Sequence, residues 1–155
     1  MARILQRLWE RHKNPLSWFV RPPLGALMFY GAWRQSWLLL GAGALGAATS
    51  WFWFPGPRKA RPWVERFIDV ERRFLTPPWT LPKVLGLLGV AGFLVVVTAA
   101  FWRRDAALGL SVFTAGALSK AVWSLVVAKE AGIPAAVIGL ASALVAAGLL
   151  YHVLS

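Results

Sequence analysis

Apolar residues in this chain run in long unbroken stretches instead of alternating with polar ones. Between residues 81 and 153 three such stretches are separated only by Arg103-Arg104-Asp105 and Lys129-Glu130. Residues 81–102, 106–128 and 133–153 each match the roughly 20 residues that an α-helix needs to cross a hydrocarbon core. The short charged breaks between them predict tight helical hairpins. Upstream, residues 37–54 form another apolar run of spanning length, and 24–33 is a short one that follows Arg21-Pro22-Pro23. Extending the short run back to Leu16 gives a first hairpin of 16–33 and 37–54, with Arg21 snorkelling and the proline pair kinking the entry.

The pattern predicts an all-α, polytopic membrane helix bundle of five spans, or four spans plus an inserted or interfacial helix at 16–33. Residues 1–155 form one integral membrane domain. Two further stretches read as amphipathic surface helices. In the linker 55–80, Trp63, Phe67, Val70 and Phe74 recur at helical spacing between Pro62 and Thr76-Pro77-Pro78, which predicts a helix over 62–75. Arg61 with Glu65 and Asp69 with Arg73 are spaced to pair on its wet side. Ile4, Leu5, Leu8 and Trp9 against Arg3, Arg7 and Arg11 predict a shorter version within 1–14.

Composition sharpens this picture. The 155 residues are 58% apolar and 15% charged, with mean hydropathy +0.58, too little polar surface for a soluble domain of this size. A net charge of +11 resembles a nucleic-acid signal until the charges are placed. One basic group precedes the first apolar run and another fills 58–83. Placing both in the cytoplasm satisfies the positive-inside rule, with the N-terminus inside and the C-terminus outside. A multi-pass protein of a bacterial inner membrane is expected, with membrane lipids and their anionic headgroups as partners and no nucleic acid. The N-terminal segment lacks the features of a cleaved leader and is read as mature sequence. Of the ten tryptophans, Trp18, Trp33, Trp37, Trp51, Trp53, Trp79 and Trp102 fall at segment ends, where an interfacial belt is expected. Trp123 lies inside a span.

Candidate chemistry is sparse. The chain has no cysteine, which removes disulfides, thiolate metal sites and cysteine nucleophiles. No span contains an acid. His12 and His152 are placed on opposite faces, and no catalytic or phosphate-loop motif is present. No catalytic residue, metal or cofactor is expected. Small residues four apart, Ala135, Gly139, Ala143 and Ala147, predict a helix-packing seam, as do Gly86, Gly89 and Gly92, Ala42 with Gly46, and Gly43 with Ala47. Whether these seams close the bundle on itself or join copies is open.

Lys120 is the one charge deep in an apolar stretch, where a lysine is costly and marks a site by default. With Ser119, Trp123 and Ser124 nearby, and no buried acid to neutralise it, it is the candidate for holding an anionic group. Snorkelling toward the Lys129 end is the competing reading. At the N-terminus, Arg11-His12-Lys13-Asn14-Pro15-Leu16-Ser17-Trp18 followed by Arg21-Pro22 resembles a His-x-Asn-Pro-x-Ser segment that opens a group of small prokaryotic membrane proteins of unknown function. The resemblance implies a small helical membrane protein in which His12, Asn14, Ser17 and Arg21 act together. Physically, Asn14-Pro15 favours a turn, Ser17 is placed to cap the next helix, and Arg21 lies at headgroup depth. The pair His12 and Arg21 reads either as part of an anchored helix entry or as a headgroup or partner site.

The leading functional expectation is an accessory or scaffold subunit of a membrane complex, with a protein partner or a second copy of itself. The alternative is a transporter or lipid- or small-anion-binding protein centred on Lys120. A third is an enzyme acting on a lipid or isoprenoid at the interface through His12 and Arg21.

Overall fold

The computed structural model describes residues 2–14 and 16–154, with side chains described from Gln6 to Val153 apart from Pro15. The described chain is helical, in the order α1 (Ala2–His12), α2 (Leu16–Trp33), α3 (Trp37–Thr49), α4 (Pro62–Leu75), α5 (Leu81–Trp102), α6 (Ala106–Ala128) and α7 (Gly132–Leu154). A 3-10 turn at Ser50–Phe52 extends α3, and another at Lys129–Ala131 links α6 to α7. The apolar runs and the 62–75 periodicity therefore become helices close to where the pattern puts them. The expected contributions of Arg3, Ile4 and Leu5 to the face of α1, and the turn expected at Pro15, lie outside the described residues.

Two hairpin turns are built alike. Gln35 and Arg104 take left-handed backbone with φ of 52° and 59°, and the next residue turns its amide back to close the helix, Ser36 N to Gly31 O at 2.8 Å and Asp105 N to Ala100 O at 3.0 Å. That same next residue starts the following helix, since Ser36 Oγ accepts from Leu39 N and Asp105 Oδ1 from Leu108 N. One residue thus completes a C-terminal cap and supplies the next N-cap. Gln35 Nε2 donates to Trp102 O at 3.1 Å, which ties the two turns together at one end of the molecule.

At that end the core is aromatic. Phe29 stacks on Phe101 at 5.4 Å and meets Phe113 edge-on at 5.7 Å, with Ala32, Val97 and Leu150 buried around them. Gly109 lies beneath the Phe101 ring. At the opposite end, α4 lies across the α6–α7 connection and contacts α1. It buries Val64, Phe67 and Ile68, so its apolar face points into the protein and its charged face outward. Neither expected pair, Arg61 with Glu65 or Asp69 with Arg73, is among the ion pairs of the described residues, which are His12–Glu71, Lys13–Glu10 and Lys120–Glu71. On an exposed face the Coulomb gain in water does not hold two long side chains together. Lys83 Nζ anchors the end of α4, donating to the carbonyls of Arg73, Thr76 and Pro78 at 2.6, 2.9 and 3.0 Å.

Five spans are not supported. Among the described residues two helical stretches are long and apolar enough to cross a membrane, Leu81–Trp102 and Ala106–Val153. The latter, 48 residues, folds back at Lys129–Ala131 into α6 and α7. In α2 the run is diluted by Arg21, Pro22 and Pro23, and α3 has 13 residues, or about 20 Å of helix against about 30 Å of hydrocarbon. Only 17% of the most apolar window of each long stretch is buried within the molecule, unlike the core helix of a soluble domain. Leu88, Val95, Val122, Val126, Leu144 and Val145 all face outward.

Candidate functional site

The last residue of α1, the first turns of α2, the 3-10 turn after α3, α4 and the middle of α6 converge on one polar cluster. His12 lies at its centre, buried, with its ring stacked on Trp51 at 4.5 Å and flanked by Trp9 and Trp18. Trp18 Nε1 donates to His12 O at 3.0 Å, which holds the end of α1 against α2. Arg21 Nη2 donates to His12 Nδ1 at 2.9 Å and Arg21 Nε to Ser50 Oγ at 3.2 Å. A guanidinium has no acceptor, so His12 Nδ1 carries the lone pair and Nε2 the proton. His12 Nε2 then donates to Glu71 Oε2 at 3.1 Å. The other carboxylate oxygen, Oε1, accepts from Lys120 Nζ at 3.0 Å. The Lys120 ammonium also sits over the rings of Trp123 at 4.5 Å and Phe67 at 5.5 Å.

Glu71 is the residue that sequence reasoning missed. Lys120 was expected to have no buried acid near it, and the structure corrects this: the acid comes from α4, outside every apolar stretch. Burial alone would push the Glu71 carboxyl up. The hydrogen bond from His12 and the charge and hydrogen bond of Lys120 outweigh that and hold it at about 2. A signal was present, because Glu71 falls four residues after Phe67 and three before Phe74, on the inward stripe of α4.

The N-terminal residues implied by the resemblance are neighbours in space. His12 and Arg21 bond directly. Asn14 Nδ2 donates to Pro55 O at 2.9 Å, and its Oδ1 accepts from Leu16 N at 3.0 Å. The cap expected of Ser17 is therefore made by Asn14, and the buried Ser17 Oγ donates back to Asn14 O at 2.8 Å. Around Lys120 the expected set divides. Trp123 supports the ammonium and meets Phe74 edge-on at 5.6 Å. Ser124 is buried and bonds the Lys120 carbonyl of its own helix, with the Gly132 backbone close against it. Ser119 is exposed and lines no part of the site. Trp9, Trp18 and Trp51 enclose His12, so Trp18 and Trp51, expected in an interfacial belt, serve the cluster.

Behind the cluster lies a cavity of about 390 Å³. His12, Arg21, Glu71 and Lys120 form its polar end. Its other walls include Trp18 and Gly25 of α2, Phe67 of α4, Phe93 of α5, Phe113 and Gly116 of α6, and Ala135, Ile138, Gly139 and Ala143 of α7. This changes the meaning of the α7 stripe. A close helix–helix seam was expected along Ala135, Gly139, Ala143 and Ala147, yet a Cβ built on Gly139 meets nothing within 4 Å. The described residues of α7 buried against neighbours are Gly132, Ala136, Ala146 and Leu150. The small side chains at 135, 139 and 143 leave space that no helix fills. Close packing occurs instead between α2 and α3, where a Cβ on Gly43 would lie 2.5 Å from Met28 N and 2.7 Å from Leu24 O. Gly86 packs under Phe74, and Gly89 and Gly92 meet nothing.

Chemically, the site offers two cations, one carboxylate and a histidine whose ring nitrogens are both engaged. Proton transfer through His12 would first require Arg21 or Glu71 to let go. Among the described residues no group of three or more His, Asp or Glu side chains is placed to hold a metal ion. His152 lies near the end of α7, two residues after Leu150, which is buried in the aromatic core with Phe29 and Phe101. Compared with family models, with curated proteins and with solved structures, the chain matches none.

Proposed function

We propose that this chain is an integral membrane protein that binds an amphiphile, with the ligand's headgroup at the His12–Arg21–Glu71–Lys120 cluster and its chain in the groove along α7. The observation that carries this reading is the cavity itself, polar at one end and walled for the rest of its length mostly by apolar residues, the glycines and alanines of α6 and α7 beside Phe93, Phe113 and Ile138. Its volume lies within the range of small-molecule sites. At about 30 Å³ per water-sized group, 390 Å³ holds on the order of a dozen groups. That suits one headgroup with part of one chain, the remainder leaving through the open side into lipid.

The membrane placement rests on α5, α6 and α7. The latter two have 23 residues each, or about 34 Å of helix, enough to span. The α2–α3 hairpin packs against α5 and α7 with its Gln35 turn tied to the Trp102 end of α5. Arg58, Lys59, Arg61, Arg66, Arg72 and Arg73 gather with Arg7 and Arg11 of α1 at the α4 end, which is the cytoplasmic side by the positive-inside rule. The C-terminus then lies outside. This reading is preferred to a docking subunit because α4 spends its apolar face on Val64, Phe67 and Ile68 inside the protein. It is preferred to an interfacial enzyme because both ring nitrogens of His12 are occupied.

The test is native mass spectrometry of the full-length protein extracted gently from its membrane, beside Gly139→Leu. A leucine at 139 meets no backbone and enters the groove. The expected result is an amphiphile retained by the wild type and absent from Gly139→Leu at unchanged thermal stability. Retention of the same adduct by the variant, or a wild type that carries none, overturns the proposal.

A further inference from the structure

The charges and unused donors at the mouth define what the headgroup must be. We infer that it is an anion, a phosphate or carboxylate at the end of a single chain, and that it takes Lys120 over from Glu71 as it enters. This rests on the amphiphile reading above.

The cavity-lining charges are Arg21 and Lys120 against Glu71 alone, so the mouth carries an excess of positive charge. Lys120 has three N–H donors and spends one on Glu71. Arg21 has five and spends one on Ser50 and one on His12, and among the described residues the others meet no acceptor. Donors are therefore in surplus, and a planar guanidinium and an exposed ammonium lining one cavity suit phosphate or carboxylate oxygens.

The two partners of Glu71 differ in how firmly they are held. The His12 side chain is 3% exposed and pinned between rings and Arg21, whereas the Lys120 side chain is 57% exposed. Glu71 keeps its hydrogen bond to His12 when Lys120 turns away, so the exchange leaves no buried carboxylate without a partner. Trp123 and Phe67 flank the ammonium. Glu71 is thus an internal competitor that holds Lys120 until a ligand anion arrives.

The experiment titrates the full-length protein in amphipol with decyl phosphate, decanoate, decanol and decyltrimethylammonium, followed by tryptophan fluorescence, in the wild type, Lys120→Met, Lys120→Arg and Glu71→Gln. The inference expects both anions to bind at least tenfold more tightly than decanol, with Lys120→Met losing that preference and Lys120→Arg keeping it. Glu71→Gln, which removes the competitor, is expected to tighten anion binding severalfold. The ratio of decyl phosphate to decanoate tells the two anions apart. Preference for decyltrimethylammonium, or anion binding unaffected by Lys120→Met, overturns the inference. So does a folded Glu71→Gln that weakens anions as much as Lys120→Met does. If Glu71→Gln does not fold, the comparison of Lys120→Met with Lys120→Arg decides alone. Equal binding of all four probes, abolished in Gly139→Leu, sinks the anion inference and keeps the amphiphile reading. Inorganic phosphate competing as well as decyl phosphate keeps the anion and sinks the amphiphile.

Discussion

Glu71 shows how a single residue acquires its properties from three separate elements. Its carboxylate is paid for by His12 and Lys120, which lower it from the ordinary 4.5 to about 2. Because the folded value is depressed, the stabilisation is present above the unfolded value near 4.5 and is lost as pH falls toward 2. At full extent it is worth on the order of a few kcal/mol, one pKa unit being about 1.4 kcal/mol. Thermal unfolding in mild detergent should therefore show a loss of stability between about pH 4.5 and pH 2 that is much smaller in Glu71→Gln. An acid limb identical in the two proteins would show that the carboxylate lacks this linkage.

At the level of elements, the turns and the close crossings decide whether helices meet. Arg104 sits in left-handed backbone at the turn between α5 and α6, a conformation that a side chain disfavours by roughly 1 kcal/mol and glycine accepts freely. Arg104→Gly is expected to raise stability by about 0.5 to 1 kcal/mol, read as a higher melting temperature. Gly43 presents the opposite case, because the atoms nearest its missing Cβ are backbone atoms of α2 and cannot rotate away. Gly43→Leu should separate α2 from α3 and cost about 1 to 3 kcal/mol or more, as overpacking does. An unchanged melting temperature for Gly43→Leu would mean that the hairpin is not closed as described.

The whole molecule separates its two ends. One end gathers α1, α4 and the α6–α7 turn, and the other carries the Gln35 and Arg104 turns beside the aromatic core. The absence of native cysteine makes this directly measurable. Under the proposed topology, single cysteines at Lys59 and Glu130 are expected to react with a membrane-impermeant maleimide only after the cytoplasmic side is opened, and cysteines at Arg34 and Arg104 from the outside in intact cells. Labelling of all four positions from the same side would remove the membrane-spanning arrangement of α5, α6 and α7.

Local physics made much of this legible in the sequence. The long apolar runs gave the ends of α5 and α6, and Pro62 and the Thr76-Pro77-Pro78 stop gave α4. Those features depend on hydrophobic period and turn chemistry within a few residues. The number of long apolar helices was overcounted, because Arg21, Pro22 and Pro23 dilute α2 and the apolar run after Trp37 turns to 3-10 at Ser50. Only the tertiary structure decided the site. Glu71 is 59 residues from His12 and 49 from Lys120, and no periodicity links positions so far apart. It also decided that the small residues of α7 border a cavity. A small side chain permits close approach without requiring it, and whether a neighbouring helix or empty space lies opposite depends on how all the helices pack.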